Sequence, residues 1–300
     1  MKTLEAGKRI GLKNILFATD FSPYSNAALP YALGIAGQYE AKLYGIHVVA
    51  PEDYLFTSPE NWPAHMEQEE QRQQEAAGRL EEQIGAVPHT ILSGVGEIWS
   101  VLSRVISEHD IDLIVIGTHG RTGARKLFMG SVAEKIFRQA ACPVLTVGPN
   151  VPGKENSEKQ FQRVLFATDF SKESLAALPY AVSLAEENQS QLALLHVVEQ
   201  PAAGIVDVEG VTASLVRRLR ELAPPEAEFW CDVQCLVGFS CQFAPPAERI
   251  LEIAGERAAD LIVLGVHPTH GGFSAVTHLS HTTAQHIVAH AGCPVLTVRG

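Results

Sequence analysis

The octapeptide Ile15-Leu-Phe-Ala-Thr-Asp-Phe-Ser22 returns almost unchanged as Val164-Leu-Phe-Ala-Thr-Asp-Phe-Ser171. Ala28-Leu-Pro-Tyr-Ala32 returns as Ala177-Leu-Pro-Tyr-Ala181, and His47-Val-Val as His196-Val-Val. Asp112-Leu-Ile-Val is matched by Asp260-Leu-Ile-Val, and Cys142-Pro-Val-Leu-Thr-Val by Cys293-Pro-Val-Leu-Thr-Val. The matches keep their order at nearly constant spacing. A period near 150 residues is far too long for a solenoid and is the size of a domain. The chain therefore reads as a duplication, with a first domain over residues 1–148, a linker over 149–160 and a second domain over 161–300. The linker, rich in Pro, Gly, Asn and Lys, carries little apolar content.

Within each copy short apolar runs alternate with longer amphipathic stretches. In the first, Asn14–Thr19, Leu43–Val49, Val87–Leu92, Leu113–Gly117 and Pro143–Val147 are hydrophobic almost throughout. That pattern suits parallel strands buried on both faces. Ser25–Tyr39, Pro59–Ile84, Glu97–His109 and Ser131–Gln139 are expected to be helices. Strand–helix alternation predicts an α/β fold, two tandem Rossmann-like domains with helices on both faces of each sheet. Ser22-Pro23 supplies a capping serine followed by a proline suited to the first helical position.

The chemistry concentrates where the fourth strand ends. Gly117-Thr-His-Gly120-Arg-Thr-Gly-Ala-Arg-Lys-Leu-Phe-Met-Gly130-Ser131-Val132 places glycines at both ends of a cationic loop. Gly117 allows close backbone approach, and Gly120 permits a turn that aims amides into an anion-binding concavity. Gly130-Ser131 opens the next helix, whose free amides and positive dipole end suit phosphate oxygens. Arg121, Arg125 and Lys126 bring positive charge. The spacing fits neither a Walker loop nor a dinucleotide fingerprint.

With these residues in view, the chain resembles a tandem universal stress protein over nearly its full length, and the first loop is similar to the ATP-binding pattern of that family's nucleotide-binding branch. The resemblance implies a strand order of 3-2-1-4-5 in each copy, with ligand bound at the switch point between strands one and four. It implies that Asp20 contacts the ribose, that the Val48 backbone receives the adenine, and that Gly117 lies near the ribose. Gly120, Gly130, Ser131 and Val132 would hold the phosphates, accompanied by Mg²⁺ or Mn²⁺. The resemblance further implies pairing of the two domains through their last strands, Pro143–Val147 and Pro294–Val298, and leaves room for a homodimer. A nucleotide-independent interaction scaffold is the rival reading.

The second copy departs after Gly265. Pro268 stands where the first copy has Gly120, and His281 and Thr282 replace Gly130 and Ser131. No Lys or Arg lies between Val266 and Gly292, so ATP is not expected there. Asp169 persists without the loop, which leaves Asp20 open to a structural role beside ribose binding. His47 and His196 read as packed histidines. Six of the twelve histidines fall between His267 and His290. His267, His270, His286 and His290 are candidate metal ligands, set against a solvated or pH-responsive surface.

A formal net charge of −11 disfavours nucleic acid and anionic membranes. A compact anion is still admissible, because distant charge is screened beyond about 8–10 Å. Five cysteines read as reduced thiols of a cytoplasmic protein. No run is long and apolar enough for a membrane helix, and Met1–Lys13 lacks the features of an export signal. Nothing near the loop marks a dedicated catalytic base or nucleophile, so the expectation is a bound regulatory or structural ATP, hydrolysed slowly at most.

Overall fold

The computed structural model describes residues 9–49, 62–85, 87–119, 129–152, 161–199, 207–241, 244–266 and 281–300. The first repeat runs β1 (Asn14–Ala18), α1 (Pro23–Asn26), α2 (Leu29–Gln38), β2 (Lys42–Val49), α3 (Trp62–Ile84), β3 (His89–Val95), α4 (Ile98–Glu108), β4 (Leu113–Gly117), α5 (Ser131–Gln139) and β5 (Val144–Val147). The second runs β6 (Arg163–Ala167), α6 (Lys172–Leu175), α7 (Leu178–Asn188), β7 (Gln191–Glu199), α8 (Val208–Arg220), β8 (Val233–Ser240), α9 (Pro246–Glu256), β9 (Leu261–Val266), α10 (His281–His290) and β10 (Val295–Arg299). A 3₁₀ turn over Pro225–Phe229 precedes β8.

The strands of the first repeat lie in the order β3-β2-β1-β4-β5, and those of the second in the equivalent order β8-β7-β6-β9-β10. Phe17 pairs with Gly45 of β2 and Val115 of β4, and Phe166 occupies the same position between Leu194 and Val263. The apolar runs are buried on both faces as expected: Ile15, Leu16, Phe17, Leu165 and Phe166 have no exposed surface. By their contacts the described residues form two compact units that part between Val144 and Leu145, with residues 9–11 and Met129 counted in the second.

One expected helix is two. The stretch Ser25–Tyr39 breaks into α1 and α2 because Pro30 sits in the first turn of α2 and has no N–H to donate to the preceding turn. Pro179 does the same between α6 and α7. The cap is as expected: the Ser22 side chain accepts from Ser25 N, with Pro23 in the first turn. The third strand starts later than its apolar run, at His89, and ends in exposed Val95.

The repeated aspartate before the fourth strand braces the opposite end of the sheet. Asp112 Oδ2 accepts from Lys13 N at 2.8 Å and Asn14 N at 2.9 Å. Asp260 accepts likewise from Gln162 N and Arg163 N. These bonds satisfy strand-entry amides that no neighbouring strand reaches.

Candidate functional site

The carboxyl ends of β1 and β4 open into a cavity of about 890 Å³. This is the switch point of the sheet, where the chain leaves β1 for one side and β4 for the other. The wall is built from the turn after β1, the end of β2, one face of α3 and the first turn of α5.

The turn after β1 is held by its own side chains. Phe21 N donates to Thr19 Oγ1 at 2.9 Å, Ser22 N donates to Asp20 Oδ1 at 3.0 Å, and the Thr19 and Ser25 hydroxyls lie 2.9 Å apart. These bonds keep Phe21 at φ 62°, a region a bulky residue seldom occupies. The second repeat copies the arrangement: Phe170 N to Thr168 Oγ1 at 2.9 Å, Ser171 N to Asp169 Oδ1 at 2.9 Å, and Phe170 at φ 63°. One carboxylate oxygen of Asp20 therefore serves the turn itself, which accounts for an aspartate in the copy that lost its loop.

His47 and His196 are equivalent parts of the fold. His47 Nδ1 donates to the Thr19 carbonyl at 2.7 Å, and its ring lies 4.8 Å from that of Phe21. His196 Nδ1 donates to the Thr168 carbonyl at 2.8 Å beside Phe170. Burial holds the His196 imidazole below its ordinary value, against the opposing effect of that carbonyl bond.

Gly117 lines the cavity, but the contact that demands glycine lies elsewhere. A Cβ there would stand 2.8 Å from Ser25 Cα, Ser25 N and Tyr24 O, the backbone of α1. Gly265, in the copy without the loop, meets the backbone of α6 at Glu173 and Ser174. Helix packing against the strand end, shared by both repeats, thus explains this glycine more fully than close approach of a ligand.

Gly130 caps α5 with an ordinary extended backbone, φ −62° and ψ 148°, and its N–H donates to Thr118 O at 2.8 Å. No side chain caps this helix. Its first-turn amides and positive dipole end are therefore presented at the cavity wall formed by Gly130, Ser131, Val132 and Ala133. His119 is buried beside them, with Nδ1 2.9 Å from Thr118 Oγ1.

Among the expected site residues, Asp20, Val48, Gly117, Gly130, Ser131 and Val132 share this one cavity. Gly120 and Arg121 lie outside the described residues, as do Arg125, Lys126 and Pro268. The structure adds a group that sequence reasoning missed. Arg72, Glu75, Ala76 and Arg79 recur at helical spacing on α3 and form one cavity wall. Arg79 also stands 4.3 Å over the Phe21 ring. In sequence these two arginines look like ordinary members of a polar helix rich in Glu and Gln.

The histidine group of the second repeat is only partly described, since His267 and His270 fall outside the described residues. His286 and His290 do share a face of α10, their rings stacked at 4.1 Å. His286 Nε2 lies 2.8 Å from Glu248 Oε1, and His290 Nδ1 donates to the His286 carbonyl at 2.8 Å. Glu248 comes from α9, so the acidic partner that the histidine-rich segment lacks is supplied by another helix. Among the described residues no three His, Cys, Asp or Glu side chains gather as a metal site. All five cysteines are free thiols. Burial pushes Cys142 and Cys231 up to about 11 and Cys293 up to about 12.

No helix among the described residues is long and apolar enough to cross a membrane. A universal stress protein of Mycobacterium tuberculosis is 25% identical over 299 residues, covering 95% of this chain and 96% of its own. One from Methanocaldococcus jannaschii is 34% identical over 140 residues, 45% of this chain and 81% of that protein. The crystal structure of a universal stress protein from Archaeoglobus fulgidus shares the fold, with a TM-score of 0.70 at 20% identity over 95% of this chain and 98% of that one. The profile of the universal stress protein family matches twice, over residues 11–148 and 160–299, and the chain belongs to that family.

Proposed function

We propose that the first repeat binds ATP as a regulatory or structural ligand in a stress response. The observation that carries this reading is the cavity at the switch point, where Asp20, Val48 and Gly117 meet the uncapped start of α5. Its volume of about 890 Å³ lies within the usual range for small-ligand sites, roughly 300–1,000 Å³. Adenosine would sit between Asp20 and Val48, and the phosphates would lie against the Gly130–Val132 amides, favoured by the helix dipole. Arg72 and Arg79 add positive charge to a chain whose net charge is negative.

Mg²⁺ or Mn²⁺ fits the donor set as a companion of the phosphates. Asp20 and Glu75 offer hard oxygens on the cavity wall, while the described residues gather no cage of their own. Magnesium commonly binds with one or two carboxylates plus phosphate oxygens. A ligand role is favoured over rapid turnover because Ser131 has no His–Asp pair beside it in the sequence to activate it.

The same proposal divides the chain into domains 1–148 and 161–300 about a linker, with the last strands Pro143–Val147 and Pro294–Val298 joining them. Two apolar edges left open would invite aggregation. Free thiols accord with a cytoplasmic location. Isothermal calorimetry of the full chain with ATP and Mg²⁺ tests the central claim. One site per chain is expected; no heat of binding would leave the nucleotide-independent scaffold as the reading.

A further inference from the structure

Beyond the first turn of α5 lies a second, smaller cavity of about 390 Å³, bounded by Gly96, Trp99, Val132 and Lys135. Ile98, Ser131 and Val132 line this cavity and the large one alike. The proposed phosphate-binding turn therefore borders both cavities. Val132 is 39% exposed and Trp99 half-buried, so apolar surface is open to an occupant there.

The character of the chamber decides what fits it. Lys135 Nζ lies 2.8 Å from Glu97 Oε1, and Glu97 also caps α4 by accepting from Trp99 N and Ser100 N. The ammonium is thus matched by a carboxylate that the helix holds in place. A chamber with one paired cation and Trp99 in its wall offers little to a further phosphate. It suits an uncharged ring, since every nucleobase has a face that stacks on an aromatic side chain.

We propose that the ligand of this site is a dinucleoside polyphosphate, with its first nucleoside in the large cavity, its phosphates on the α5 turn and its second base against Trp99. The inference rests on the nucleotide reading above and extends it to a ligand class. Once phosphates lie on the turn, the far end of the chain adjoins the smaller chamber through walls that the two cavities share.

Calorimetry of the full chain with diadenosine tetraphosphate and, separately, ATP tests the inference, using wild type, Trp99→Ala and Trp99→Phe. Wild type should bind the dinucleotide more tightly by on the order of tenfold, the size of one base–aromatic stack. Trp99→Ala should remove that advantage and keep its ATP affinity, and Trp99→Phe should restore most of the advantage. In a Trp62→Phe, Trp230→Phe background, which leaves Trp99 as the sole tryptophan, the dinucleotide should quench indole emission and ATP should not. ATP binding with no dinucleotide advantage, or an advantage that survives Trp99→Ala, overturns the inference alone. Failure of both ligands to bind overturns the nucleotide reading beneath it.

Discussion

The Arg79 guanidinium lies 4.3 Å over the ring of Phe21, and Arg218 repeats the arrangement 3.9 Å over Phe170. Each phenylalanine carries a positive φ and also meets the ring of a histidine, His47 of β2 or His196 of β7. The pair is therefore a feature of the module, present whether or not the copy keeps a phosphate loop. Only the first copy also places its arginine on the wall of the described cavity.

That duplication separates structure from ligand. Arg79→Ala and Arg218→Ala should each lose about 0.5–1 kcal/mol of stability, the contribution of an exposed cation–π pair. Only Arg79→Ala should weaken ATP. Urea denaturation and calorimetry on both variants check this, and equal ATP affinity in Arg79→Ala and wild type would remove the arginine from the site.

Gly117→Ala should destabilise the first repeat by about 1–3 kcal/mol, as overpacking does, because the added Cβ meets α1 backbone that has no rotamer to yield. Gly265→Ala should do at least as much to the second repeat, where the approach to α6 is closer still. Denaturant midpoints for the two variants decide it. Full stability with lost ATP binding in Gly117→Ala would mean that the glycine serves the ligand instead.

Ser131→Ala should lower ATP affinity about ten- to hundredfold, since a hydrogen bond to a charged group is worth about 1.5–3 kcal/mol. The hydroxyl makes no capping bond in α5, whose cap position is Gly130, so the melting temperature should not move. Binding unchanged by the substitution would place the phosphates elsewhere.

Burial lowers the His196 pKa from its ordinary 6.5. The unfolded chain then takes up the proton at a higher pH than the folded one. Folding stability from this group is complete above pH 6.5 and declines as pH falls below it toward the depressed value. His196→Gln should show a flatter loss of stability between pH 7 and pH 5, read from urea midpoints across that range. Parallel curves for variant and wild type would mean that the imidazole titrates normally.

Much of this protein is written locally. Duplication, strand–helix alternation and the Ser22-Pro23 cap follow from short patterns, because strand burial has period two or none and helix amphipathicity has period 3.6. Even the break between α1 and α2 is encoded by one residue, Pro30, whose missing N–H is a property of that position alone. The gathering of Asp20, Val48, Gly117, Gly130, Ser131 and Val132 on one cavity was legible only through the family resemblance, whose strand order brings the ends of strands one and four together.

Tertiary structure alone decided which face of α3 turns Arg72 and Arg79 to the cavity, that Glu248 meets His286, and that Gly117 is required by α1. Each is a contact between elements distant along the chain. Its existence depends on how helices settle on the sheet, a choice made by packing that no local period records.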